Sequence, residues 1–95
     1  MTESIMSNEK RCLICGTTID LHRHHIFHGT SNKQISENEG CWVWLCFHHH
    51  DDGSKECIHN NPQYEKTMQM FCQYVWEREK GSRDEFRKKF GKSYL

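Results

Sequence analysis

Apolar and polar positions divide the chain into successive stretches. Residues 1–10 are mostly polar and are expected to be a flexible N-terminus. From Arg11 to Phe27 short apolar runs alternate with polar residues around a Cys-Leu-Ile-Cys-Gly turn, which predicts a hairpin-like unit with a strand near 19–26. Residues 28–40 are polar apart from Ile35 and read as a loop that a second, apolar and β-prone run, Cys41-Trp42-Val43-Trp44-Leu45-Cys46, follows. Residues 47–60 carry four histidines around an Asp-Asp-Gly-Ser turn.

The last third changes period. Asn61 is placed to cap a helix, and Pro62 suits its first turn, where a missing N–H costs nothing. Tyr64, Met68, Phe71, Cys72, Val75 and Trp76 then recur at three- and four-residue spacing, which predicts one apolar face. Gly81 ends that helix. Ser82-Arg83-Asp84-Glu85 predicts a capping box for a shorter helix bearing Phe86 and Phe90, with Gly91 as its stop. The aromatic stripes are expected to be core, packed on the preceding unit, with a homodimer as the other way to cover the face.

Composition sharpens this outline. Ninety-five residues with 35% hydrophobic content and a mean hydropathy of −0.93 make one domain with a small core. Such cores are commonly supplemented by disulfides or metal. No apolar run is long enough for a membrane span or a secretory leader, so the expected compartment is the cytoplasm, where cysteines stay reduced. Six cysteines and eight histidines then favour metal. Net charge is zero, but residues 77–95 carry seven basic and four acidic side chains, a modest bias towards a polyanionic partner.

Cys12-x-x-Cys15-Gly16 has the form of a metal knuckle, and Cys46-x-x-His49 supplies a second half. Three thiolates and one imidazole suit tetrahedral Zn2+. A structural zinc can contribute on the order of 10 kcal/mol, a large addition to so small a core. Cys41 and Cys72 read as small apolar core residues.

The least ordinary stretch is Leu21-His22-Arg23-His24-His25-Ile26-Phe27-His28-Gly29, followed by His48, His49, His50 and His59. Over residues 11–60 the order of motifs resembles the HNH, or ββα-metal (His-Me finger), endonuclease family in its zinc-ribbon form. That order is Cys12/Cys15, His24-His25, Leu45-Cys46, His49-His50, then His59. The tail from Phe86 to Leu95 also looks like small HNH proteins of phages and prophages. The resemblance implies an α+β fold: a zinc-stabilised ββα-metal core over 11–60, and a C-terminal helical segment over 61–95 packed on it. It implies that Cys12, Cys15, Cys46 and His49 hold structural zinc, and that His24, His50 and His59 ligate a second, catalytic divalent ion (Mg2+, Mn2+, Ni2+ or Zn2+). It makes His25 the general base, with Asn38 the nearest asparagine to the family's orienting position, which Cys41 occupies here.

The chemistry implied is phosphodiester hydrolysis in DNA by a phage- or prophage-encoded enzyme in the bacterial cytoplasm. A neutral imidazole can take a proton from an attacking water, and a divalent ion can stabilise the charge that develops on phosphate. Arg23, Lys33, Arg87, Lys88 and Lys89 are candidates for holding the DNA backbone by charge. On spacing, Asp51, Asp52 and Cys57 compete as ligands, and His22 and His48 are alternatives to His24 and His50. The rival reading is a non-catalytic zinc module that binds nucleic acid or inhibits a host protein.

Overall fold

The computed structural model describes residues 3–28 and 31–95; positions 29 and 30, part of the expected loop, lie outside the described residues. The fold is α+β, a two-stranded sheet with helices, and the described residues contain no helix long and apolar enough to cross a membrane. Strand β1 (Leu21–His25) pairs antiparallel with β2 (Trp42–Cys46), opposing His24 to Val43 and His25 to Trp42. Because side chains alternate across a strand, His22 and His24 share one face with Leu45 and Val43. Arg23 and His25 share the other with Trp44 and Trp42.

The connection between the strands is not an irregular loop. Asn32–Glu39 forms helix α1, ended by Gly40 in the left-handed conformation at φ 77°. Only Ile35 is apolar there, so no amphipathic stripe announces the helix; a tertiary contact holds it instead. Ser36 is fully buried, and its Oγ accepts from Phe27 N (3.2 Å) while donating to Phe27 O (3.0 Å). One hydroxyl thus satisfies both buried backbone groups of Phe27, which the sheet leaves behind. Residues 3–10 also differ from free chain. Ile5 N donates to Gly40 O at 2.9 Å, Ser4 Oγ donates to Trp42 O at 2.5 Å, and Ile5 and Met6 pack on the core.

After β2 the chain turns into a single helical turn, α2 (Phe47–His50), then a 3-10 turn (Ile58–Asn60), then the long helix α3 (Pro62–Glu79) and α4 (Arg83–Phe90). Asn61 does not cap α3: its amide donates to Lys55 O (2.5 Å) and Cys57 O (2.9 Å), tying down the preceding turn. The α3 stripe is also narrower than its spacing suggests. Met68, Cys72 and Trp76 are buried, whereas Tyr64 and Phe71 are 46% and 59% exposed. The buried set follows i, i+4, i+8, and a polar residue, Gln73, completes it by bonding Tyr94 N (2.6 Å) and Ser93 Oγ (3.0 Å). The Ser82–Glu85 capping box is formed, and Gly91 closes α4 in the left-handed conformation.

One apolar core joins these elements. Phe27, two residues beyond β1, lies against Phe86, Phe90 and Tyr94 at ring distances of 5.3, 4.7 and 4.8 Å. Trp76 packs on Phe86 and donates its indole N–H to Glu39 at 2.9 Å. Cys41 and Cys72 are fully buried in the same core. The Cys41 sulfur beside it, and then burial, push the Cys72 thiol well up, so it stays neutral. The two terminal helices and the α1 connection thereby clamp the sheet from which the histidines project.

Candidate metal centres

The first centre is built at one end of the sheet. Gly16, at φ 78°, lets the chain turn back after Cys15, and Gly16 N bonds Cys12 O at 2.9 Å. Leu13 N bonds Trp44 O at 2.9 Å, which docks this turn on β2. Cys46 ends β2 and precedes α2, so His49, three residues on, returns beneath it. Cys12, Cys15, Cys46 and His49 place one ligand atom each within 4.8 Å of one another, a Cys3His group able to hold a metal ion such as zinc. Two sulfurs about 2.3 Å from a tetrahedral zinc stand about 3.8 Å apart. Cys15 and Cys46 Sγ are 3.8 Å apart, and His49 Nδ1 is 3.2 Å from Cys46 and 3.8 Å from Cys12.

Electrostatics point the same way. Burial opposes ionisation of Cys12, but the N–H groups of Cys15, Cys46 and Ile14 outweigh it and lower the thiol to about 6. Cys46 moves up instead, because of burial and the neighbouring Cys12 and Cys15 sulfurs. Three thiolates crowded together repel one another unless a cation stands among them. The donor set fits that cation.

The second cluster lies on the buried side of β1. His24 (β1), His50 (end of α2) and His59 (3-10 turn) bring ligand atoms within 4.8 Å, and so do His24, His28 and Glu65 of α3. His24 is 1% exposed, and its Nε2 is a buried polar atom with no hydrogen-bond partner; Glu65 Oε1 is 4.0 Å away. Leaving such a group unpaired costs about 1–3 kcal/mol, which a ligated ion would offset. Burial first, then the adjacent His50, His28, His59 and His25 charges, lower His24 to about 3, and burial with His59 and His22 lowers His50. Both rings therefore stay neutral with lone pairs available, as metal ligation requires.

Several competing residues are accounted for by other contacts. His22 Nδ1 lies 3.1 Å from His50 Nδ1 and Cys57 Sγ donates to His50 O at 2.7 Å, so both position His50. His48 is exposed and paired with Asp52, which also accepts from Ser54 N. Asp51 is exposed and belongs to neither histidine group.

His25 lies across the strand from His24 yet lines the same open cavity of about 240 Å³, together with Arg23, His28, Lys33, His50 and His59. Its partner is not Asn38, which is exposed and accepts from Gln34 at 3.0 Å. The partner is Glu37, one residue earlier on α1. Glu37 Oε1 is 3.0 Å from His25 Nε2, and Oε2 accepts from Arg23 at 2.6 Å. Helical geometry turns adjacent residues about 100° apart, so Glu37 faces the sheet while Asn38 faces solvent. The tail cations are not brought to this cavity: Arg87 pairs with Asp84 (3.7 Å), Lys89 with Glu39 (3.4 Å), and Lys88 is exposed on α4. Glu37 carries no signal of this role in the sequence, because its segment has the composition of a loop. The grouping of His28 with Glu65 has no signal in the sequence, because nothing in the spacing joins the start of α3 to the end of β1.

No protein-family model matches the chain, and no curated protein or solved structure matches it.

Proposed function

We propose that the protein is a metal-dependent endonuclease of the HNH type that hydrolyses phosphodiester bonds in DNA. The observation that carries this reading is the His25–Glu37 pair opening onto the same cavity as the unpartnered nitrogen of His24. In it, His25 Nε2–H donates to the Glu37 carboxylate, which fixes the ring and leaves Nδ1 to accept a proton. A water between Nδ1 and a phosphate loses its proton to His25 as its oxygen bonds phosphorus and the bond to the leaving sugar oxygen breaks.

Arg23 and Lys33 hold phosphate oxygens at the cavity wall, with Arg23 itself held by Glu37. His24, His50 and His59 would hold a divalent ion, and Cys12, Cys15, Cys46 and His49 a structural zinc. When bound, the divalent ion supplies Lewis-acid stabilisation of negative charge on the phosphate and leaving oxygen. His22 and Cys57 keep His50 in place.

The test is nicking and linearisation of plasmid DNA with Mg2+, Mn2+, Ni2+ or EDTA, alongside a His25→Ala variant that retains its zinc. Metal-dependent cutting that His25→Ala abolishes supports the assignment. Folded, zinc-loaded protein that cuts neither duplex nor single-stranded DNA with any of these ions sinks it, and leaves a zinc module that binds without catalysis.

A further inference from the structure

The sheet face that carries His25 continues away from the cavity as a platform of tryptophan and cation. The strand register sets Arg23 opposite Trp44 and His25 opposite Trp42. The Arg23 guanidinium lies 3.9 Å from the Trp42 ring centre and 5.2 Å from that of Trp44, and the Lys10 ammonium lies 5.0 Å from Trp44. The two indoles meet edge to face at 5.3 Å. Residues 3–10 fold over this face and leave a slot of about 250 Å³, walled by Trp42 and Trp44 and edged by Glu3, Ser4, Ser7 and Asn8. Trp42 is almost covered, whereas Trp44 is only half-buried and is the ring a ligand can reach.

We propose that this slot binds one unpaired nucleobase of a DNA strand whose neighbouring phosphate lies at His25. The proposal rests on the nuclease reading above and adds a subsite to it. Arg23 lines both the slot and the histidine cavity, so the two spaces share a wall. An aromatic face between two cations is complementary to a base flanked by phosphates: the ring stacks on Trp44 while Lys10 moves from the indole to the backbone. Ser7 and Asn8 offer donors and acceptors to the edge of the base without fixing its identity. A paired base keeps its stacking partners within the duplex, so the slot favours single-stranded, frayed or flipped nucleotides.

The experiment compares binding of a short single strand, an abasic strand of equal length and the matching duplex to zinc-loaded protein without added divalent ion. Anisotropy of a labelled strand gives affinity, and quenching of tryptophan emission reports stacking. The intact strand should bind about tenfold tighter than the abasic one and quench emission. Trp44→Ala should erase that preference, and Trp44→Phe, which keeps a ring, should retain part of it. Equal binding of intact and abasic strands overturns the proposal, as does an undiminished preference in folded Trp44→Ala protein, or no binding of any strand. Plasmid cutting separates the two ideas. His25-dependent cutting without base preference removes the slot and keeps the nuclease. Base preference without cutting keeps the slot on a binding module.

Discussion

Glu37 presents one carboxylate oxygen to Nε2 of His25 at 3.0 Å and the other to Arg23 at 2.6 Å. A single acidic side chain thus orients the proposed base and a proposed phosphate contact. Replacing Glu37 by Gln keeps the shape and removes the charge that holds the Nε2–H tautomer. General-base catalysis contributes about 10²–10⁴-fold, so His25→Ala should lose that much and Glu37→Gln a part of it, about tenfold or more in kcat. Arg23→Ala should instead raise KM more than it lowers kcat. Steady-state cleavage of a labelled DNA, with zinc content checked for each variant, measures all three. Wild-type kcat in Glu37→Gln would remove the orienting role.

The same carboxyl gives a pH signature. Burial raises the pKa of Glu37, but the His25 hydrogen bond and the Arg23 charge outweigh that and bring it below the usual carboxylate range. A carboxyl with a lowered folded pKa stabilises the fold above its unfolded pKa, and that stabilisation is lost as pH falls through the folded value. Glu37→Gln should therefore cost stability at neutral pH and flatten the acid limb. Urea midpoints of the two proteins should converge as the pH drops; parallel curves would mean the pairing contributes nothing in solution.

Metal removal tests the Cys3His centre. Cys12, Cys15, Cys46 and His49 tie the N-terminal turn to the β2–α2 junction, and a structural zinc contributes on the order of 10 kcal/mol. Cys12→Ser, or chelation, should abolish cooperative unfolding and most near-ultraviolet dichroism. Elemental analysis should show the loss of one tightly held zinc per chain. Unaltered unfolding in zinc-free protein would show that the apolar core suffices.

What could be read from the sequence was what local spacing encodes. Cys12-x-x-Cys15, Cys46-x-x-His49, the Ser82–Glu85 box and the Met68–Cys72–Trp76 stripe each lie within a turn or two of chain, where residue type dictates geometry. Helix α1 was not legible, because the Ser36 hydroxyl bonded to the Phe27 peptide holds it rather than an amphipathic pattern. Without α1 nothing in the sequence places Glu37 beside His25, and the asparagine that spacing offers instead, Asn38, is turned to solvent by the helix. The exposure of Tyr64 and Phe71 has a similar origin: spacing gives a face, while the width of that face depends on what packs against it. Burial of Gln73 by the returning C-terminus is a contact no local pattern contains.

Two ligand triads share His24, and they make different demands on α3. If His24, His50 and His59 hold the ion, His59→Ala should empty the second metal site, leave the Cys3His zinc in place, and abolish cutting. Glu65→Gln should then weaken occupancy only modestly. If His24, His28 and Glu65 hold it, the pattern reverses. Titration of zinc-loaded protein with Ni2+ or Mn2+ by calorimetry separates the cases. Retention of full second-site occupancy in both variants would exclude each triad as written.

Gly40 is where the N-terminal segment meets the sheet. Its φ is 77°, and a Cβ there would collide with the backbone oxygen of Glu3 and stand 3.1 Å from the Ile5 side chain. Ala at such a φ costs about 1 kcal/mol on backbone grounds. The clash cannot be relieved by a side-chain rotation, because the obstructing atom belongs to the main chain that Ile5 N bonds back to Gly40 O. Gly40→Ala should therefore lose about 1–3 kcal/mol, dislodge residues 3–5, and loosen the wall over Trp44. Deleting residues 1–7 from both proteins isolates the two costs: in the shortened pair only the backbone part should remain, since the obstructing oxygen is gone. Urea unfolding of the four proteins, with zinc content held equal, completes the cycle. An equal penalty in long and short chains would mean that residues 3–5 do not lie against Gly40 in solution, and the slot beside Trp44 would lose its roof.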